Sequence, residues 1–230
     1  MPKPNNLGRM DNRPRYLLSQ AARYVRISPT TLRSWVVGRP YFAAGTTKQF
    51  RPLIIPPDSN DSRLSFSNLI EAHVLRALRA HHDVPMADVR AALDYAEREL
   101  KIRRLLLRED LKTAAGAVFL EHLGLLVNLG RSGQIAIKEV LAAHLERIQW
   151  DPSGLPSSLF PVSTAGLRGP QIVNIHPRIA FGRPHISGKG VRTQTIVERL
   201  DADESRETLM SDYGLTDAEI DEAVLYERAA

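Results

Sequence analysis

Ser28-Pro29 is the strongest local constraint in this chain. A serine directly before a proline marks a helix start. The hydroxyl can accept from a backbone N–H in the first turn, and proline's fixed φ suits the first helical position. From there Leu32, Trp35 and Val36 recur on one face, and Thr30, Thr31, Arg33 and Ser34 on the other. Upstream, Leu17, Ala21, Tyr24, Val25 and Ile27 supply the apolar side of another short helix. Tyr16–Trp35 therefore predicts two short helices joined by a tight turn. Hydroxyls and a guanidinium on the second are groups that bond phosphates and base edges, so that helix suits a DNA major groove.

Charge is distributed unevenly. The chain has 230 residues, 31 Lys+Arg and 26 Asp+Glu, for a net +5. Residues 1–52 alone carry +9, residues 53–168 are neutral, 169–200 carry +4 and 201–230 carry −8. A basic front suits a polyanion that the acidic end would repel. The two ends are expected to serve different partners. Arg15, Arg23, Arg26, Arg39, Lys48 and Arg51 are then candidate phosphate contacts beside Ser28, and Thr30, Thr31, Arg33 and Ser34 are candidate groove contacts.

The expected fold is mainly α with minor β. Residues 1–14 read as an arm, and 15–98 as a winged helix-turn-helix. Its wing is placed in a hairpin of Phe50–Ile55 with a return at Leu64 and Phe66, followed by helices over 67–80 and from Pro85. Residues 99–151 are expected to form a small ββα unit, with strands AVFLE (117–121) and LLVNL (125–129) and a helix over 135–148. The exposed LLVNL strand is the candidate dimerisation element. Residues 152–169 read as a linker. Residues 170–230 read as a three-helix, helix-turn-helix-like domain, with Thr216 and Glu219 as a capping box.

Several chemistries find no support in the sequence. There is no cysteine, which excludes disulfides and thiolate metal sites. No cofactor is expected. Gly182–Lys189, GRPHISGK, has five residues between glycine and GK where a phosphate loop has four, and Gly190 where that loop needs Ser or Thr. His81-His82 is the least implausible ligand pair, but no HExxH-like spacing accompanies it. His73 and His144 fall on helical faces and read as packing residues. No apolar run approaches the ~18 residues of a membrane span, and the N-terminus lacks a signal-peptide core. A cytoplasmic, non-enzymatic protein is expected.

The motifs carry a family resemblance. Ala21-Ala22-Arg23, Ile27-Ser28 and Thr31-Leu32-Arg33-Ser34-Trp35, with Leu64–Leu78 and VPMADVRAAL, resemble the MerR-type winged helix over residues 15–98. The wing departs from that pattern. Gly182-Arg183-Pro184, Ile186-Ser187-Gly188, Val191-Arg192-Thr193, Ser205–Leu209 and Tyr213-Gly214-Leu215 are similar to a small domain-of-unknown-function family found in antitoxins. Over residues 15–228 the chain resembles long VapB-type antitoxins whose partner is a PIN-like ribonuclease toxin. The resemblance implies two activities, sequestering that toxin and repressing the shared operon at its operator DNA, with a homodimer as the expected state. PIN-like nucleases hold a divalent metal in a carboxylate cluster, which Arg178, Arg183, Lys189 or Arg192 could enter, with Phe181 beside them. Those cations could equally face solvent or pair with the acidic helices next to them. A free-standing MerR-like regulator with a C-terminal sensing or protein-interaction domain is the alternative. Co-purification with the product of an adjacent reading frame distinguishes the two.

Overall fold

The computed structural model describes residues 11–38, 40–43, 45–49, 51–58, 60–79, 84–128 and 130–229. Arg39, Phe50 and His81-His82 lie outside the described residues. Two compact units are present: one runs to Glu146 and takes in Trp150–Pro156, and the other holds Arg147–Gln149 and everything from Ser157 on.

In the first unit, α1 (Leu18–Tyr24) and α2 (Pro29–Val37) pack together. Ala21, Ala22, Tyr24, Val25, Leu32 and Trp35 are buried between them and the rest of the unit. Leu17, expected in this core, is 52% exposed; its N–H donates to the Gln20 side-chain oxygen at the start of α1. The turn is tight because Arg26 takes a left-handed φ of 53°. The Arg26 and Ile27 N–H groups then reach back to Arg23 and Ala22 carbonyls at 3.1 and 3.0 Å.

The hairpin lies earlier than the sequence suggests. It is β1 (Pro40–Ala43) against β2 (Thr46–Gln49), with Tyr41 opposite Lys48 and Gly45 at φ 76° in the turn. Residues 51–55 form no strand. The Leu53 and Ile54 N–H groups both donate to the Trp35 carbonyl, at 2.8 and 3.0 Å, so this segment caps the end of α2. Leu64 pairs with Tyr16, and Phe66 already opens α3 (Phe66–Arg79). The alternation that suggests strands here is overridden by the unmet carbonyl at the end of α2.

Helix α3 is the centre of this unit rather than an amphipathic surface helix. Ser67, Asn68, Glu71, Ala72 and Leu75 are buried along with the expected apolar face. Its polar residues are satisfied internally. Ser65 and Asn68 cap reciprocally, the Asn68 amide donates to the Ile55 carbonyl at 2.9 Å and to Glu71 at 3.0 Å, and Arg104 Nε donates to Glu71 at 2.9 Å. Arg76 donates to the Val25 carbonyl at 3.0 Å and so secures the end of α1.

Helix α4 (Met86–Leu100) is followed by two 3-10 turns, Leu105–Leu107 and Glu109–Lys112, which bury Leu105, Leu106, Leu107 and Leu111. The two strands expected next are absent. AVFLE and the first two residues of LLVNL belong to a single helix, α5 (Ala114–Leu126), and α6 (Arg131–Leu145) follows it. Alanine and leucine favour helix, and this segment has only one β-branched residue before its end, so propensity and packing on α4 agree.

The second unit is built around Arg147, which is only 1% exposed. Its guanidinium donates to five backbone carbonyls: Phe160 at 2.9 Å, Leu167 at 2.8 Å, Pro161 at 2.6 Å, and Gly169 and Pro170 at 3.1 Å. Residues 152–169 are therefore no loose linker. β3 (Ile148–Trp150) pairs with β4 (Pro156–Leu159), and Leu159, Phe160 and Val162 are buried. β5 (Val173–Asn174) pairs with β6 (His185–Ile186). Three helices then close on a core of Ile186, Ile196, Leu209, Leu215, Ile220 and Ala223. They are α7 (Thr193–Asp201), α8 (Arg206–Tyr213), capped by Ser205, and α9 (Asp217–Arg228), opened by the Thr216–Glu219 capping box.

Arg147→Met should lower unfolding stability by about 3–5 kcal/mol, because the carbonyls lose charge-assisted donors in a buried site. Arg147→Lys should recover only part of this, since one ammonium cannot span five acceptors. Urea melts check it. A lysine variant as stable as the parent would contradict this account of Arg147.

Candidate nucleic-acid and partner interfaces

The first interface grows from the cap of α2. Ser28 Oγ accepts from the Thr31 N–H at 3.1 Å and lies 2.8 Å from the Thr31 hydroxyl. Ser34 Oγ donates to the Thr31 carbonyl at 2.7 Å. Thr31 and Ser34 are thus half-buried and engaged within the helix, whereas Thr30 and Arg33 are exposed. Val37 is exposed as well, which ordinary amphipathic spacing does not anticipate. Of the four expected groove residues, the outward surface consists chiefly of Thr30 and Arg33.

The basic residues around this helix differ in setting. Arg51 is exposed, and its carbonyl accepts a hydrogen bond from the Arg90 guanidinium. Arg23 is half-buried, its guanidinium 5.5 Å from the Tyr24 ring centroid. Arg26 is half-buried at the inter-helix turn. Arg15 pairs with Asp11 at 3.4 Å. Lys48 sits on β2 of the hairpin.

The second interface is a turn between β5 and β6. Ala180, Phe181 and Gly182 take successive left-handed φ values of 49°, 56° and 76°. For Ala and Phe this conformation is sterically costly. The turn is held by Gly182 N–H to the Ile179 carbonyl at 2.9 Å and Arg183 N–H to the Ala180 carbonyl at 3.0 Å. The outcome is an aromatic ring held out in solvent: Phe181 is 78% exposed, with exposed Ile179 nearby. The Arg192 guanidinium lies 5.3 Å from the Phe181 ring centroid. Arg178 and Lys189 are exposed and form no ion pair among the described residues; Arg183 is half-buried. The structure brings Phe181 and Arg192 together. Lys189 lies toward the end of α8, its Nζ 3.7 Å from where a Cβ on Gly214 would stand.

The acidic helices next to this turn find their partners elsewhere. Arg199 on α7 bridges Glu204 and Asp212, donating to Glu204 through Nε at 2.8 Å and to Asp212 at 2.7 Å. Arg206 bridges Asp217 at 2.7 Å and Asp221 at 2.6 Å, and Arg228 meets Asp201 at 3.1 Å. These bridges, not the turn's cations, brace the acidic bundle. Hydrogen bonds to Glu204 and Asp212 raise the Arg199 pKa, and the hydrogen bond from Arg199 holds the Glu204 carboxyl below its ordinary value. Among the described residues no three His, Asp or Glu side chains gather as metal ligands, and no helix is long and apolar enough to cross a membrane.

With this geometry, comparison with known proteins is specific. Residues 14–93 match the family described as "Putative DNA-binding HTH domain", and residues 173–226 match "Protein of unknown function (DUF433)". The chain thus joins a helix-turn-helix DNA-binding module to a small helical domain. It is 31% identical to the "Putative antitoxin VapB45" of Mycobacterium tuberculosis over 92% of each chain, and it belongs to that antitoxin family. The X-ray crystal structure of Rv2018 from the same organism superposes with a TM-score of 0.71 at 26% identity, covering 92% of this chain and 98% of that one. These matches support an antitoxin and DNA-binding role.

The carboxylates of the second unit set a pH dependence. A depressed folded-state pKa at Glu204 contributes stability that is present above the ordinary glutamate pKa and lost as pH falls through the folded value. Thermal melts should therefore show stability falling below about pH 4.5. Arg199→Gln should flatten that fall. An unchanged profile in the variant would place the acid sensitivity elsewhere.

Proposed function

We propose that the chain is the antitoxin of a type II toxin-antitoxin pair, whose first unit represses the shared operon and whose second unit neutralises a PIN-like ribonuclease. The observation that carries the first half is the capped helix α2. It presents Thr30 and Arg33 to solvent in the most basic part of the chain, within a matched helix-turn-helix domain. In a MerR-like winged helix this element enters the major groove, with the β1–β2 hairpin as wing. Ser28, Thr31 and Ser34 then shape and cap the reader, while Arg23, Arg26, Lys48 and Arg51 address phosphates. One short helix reads few bases, so two copies on paired half-sites are required, and the chain acts as a homodimer.

The second half rests on the Phe181 turn. An exposed aromatic locked in place, with an arginine against it and further cations nearby, has the makeup of an interface anchor. A metal-binding carboxylate cluster on a nuclease is its natural complement. Arg178, Arg183 and Arg192 are the candidates to enter that cluster, because a planar guanidinium fits carboxylate bidentately, and Lys189 adds long-range attraction.

Two measurements test these halves. Arg33→Ala should weaken operator retention at least about tenfold, while Ser34→Ala changes it less than about threefold, by the usual cost of a lost base contact. Equal losses would mean that α2 does not read bases as proposed. Phe181→Ala should reduce capture of the co-expressed product of the adjacent reading frame by about thirtyfold or more, the size of an anchor residue's loss. Capture as strong as the parent's would remove this turn from the interface.

A further inference from the structure

Helices α5 and α6 form a hairpin of the first unit whose open side is a groove of about 880 Å³. Leu111, Leu141 and Leu145 make its floor, and Ala117, Leu120 and Ile135 line its walls. Ile135 in these walls is 50% exposed, and Leu125 of α5, outside the groove lining, is 67% exposed. Nine of the 13 residues of α5 are Ala, Val, Phe or Leu. A helix apolar round most of its circumference is normally covered; α5 packs on α4, on the Glu109–Lys112 turn and on α6, yet Ala117, Leu125 and Leu126 stay exposed.

The charges of α6 indicate the cover. Arg131 stands at the first position of the helix, where the macrodipole disfavours a cation, and Glu146 at its C-cap, where it disfavours an anion. Neither has an ion-pair partner among the described residues, and Lys138 and Glu121 on the same groove have none either. A second α6 laid antiparallel across the first places each Arg131 end against the other copy's Glu146 end. It also sets Ile135 opposite Ala142. Charges that oppose their own helix are then matched by the other. An isologous pair needs this self-complementary pattern. Helices of 13 and 15 residues are roughly 20 Å long. Two side by side offer a face of the order of the ~800 Å² per partner typical of a stable dimer.

We infer that the α5–α6 groove is the self-association surface, occupied by the α5–α6 hairpin of a second copy in antiparallel two-fold pairing. The inference deepens the homodimer reading above and is measured without DNA, so it fails separately from operator binding. The experiment is sedimentation-equilibrium ultracentrifugation of the 230-residue chain without DNA, with circular dichroism confirming fold. The parent should be a dimer. Arg131→Glu and Glu146→Arg alone should each weaken it about tenfold, through two like-charge contacts per dimer, and together should restore it. Ile135→Glu should weaken it about a hundredfold or more, by forcing a carboxylate into the apolar seam. A monomeric parent overturns both the groove assignment and the homodimer. A dimer indifferent to all four variants overturns the groove assignment and leaves the homodimer standing. So does a double charge reversal that fails to restore association. Loss of co-expressed toxin capture in Ile135→Glu, with the parent monomeric, would assign the groove to that partner instead. The surface charge reversals keep the test decisive should Ile135→Glu misfold.

Discussion

A guanidinium without a bidentate carboxylate partner organises the second unit. Arg147 comes directly after α6, where the chain leaves the first unit, and its donors go to backbone carbonyls from Phe160 to Pro170. Burial lowers its pKa, with Glu222 acting in the opposite sense. Each bond fixes a piece of chain that has little regular structure of its own. From that fixed segment β5 and β6 follow, then the Phe181 turn and the three helices. A buried charge is tolerated here because its hydrogen bonds are nearly all made.

The first unit uses a different device. A run of buried polar groups, Ser65, Asn68, Glu71 and Arg104, passes along α3 and ties the loop at Ile55 and the turn after α4 to one helix. Hydrogen-bonded networks of this kind specify register rather than add much net stability. They hold the segment that caps α2 at its Trp35 end, and so support α2 from behind.

The ends of the chain, opposite in charge, handle it differently. The basic front keeps Arg33 and Arg51 outward. The acidic end joins half of its ten carboxylates to Arg199, Arg206 and Arg228, and Arg178 and Lys189 of the Phe181 turn form no ion pair among the described residues. The helices at 131–145 carry a third pattern, in which charge contradicts the helix's own dipole. The proposed function assigns one of these surfaces to DNA, one to a toxin and one to a second copy.

Local chemistry was legible where a single residue dictates a backbone event. Ser28-Pro29 and the Thr216–Glu219 box start helices by short-range hydrogen bonds and fixed φ, and both stand where the sequence places them. The strands expected at 117–121 and 125–129 and the wing at 50–55 were not legible. Short apolar runs suit either period, and what decides between them is the distant element they pack on: α4 for α5, the Trp35 carbonyl for residues 53–54. The site followed the same division. Sequence supplied the hydroxyl and guanidinium face of α2, but only tertiary structure separated Thr30 and Arg33 from the internally bonded Thr31 and Ser34. It supplied the cations of residues 178–192, while the left-handed turn that exposes Phe181 to Arg192 emerged from the fold. Sequence alone determined helix boundaries and charge, because these depend on neighbours within a turn. Tertiary structure decided which side chains remain available, because burial depends on contacts far apart in the chain.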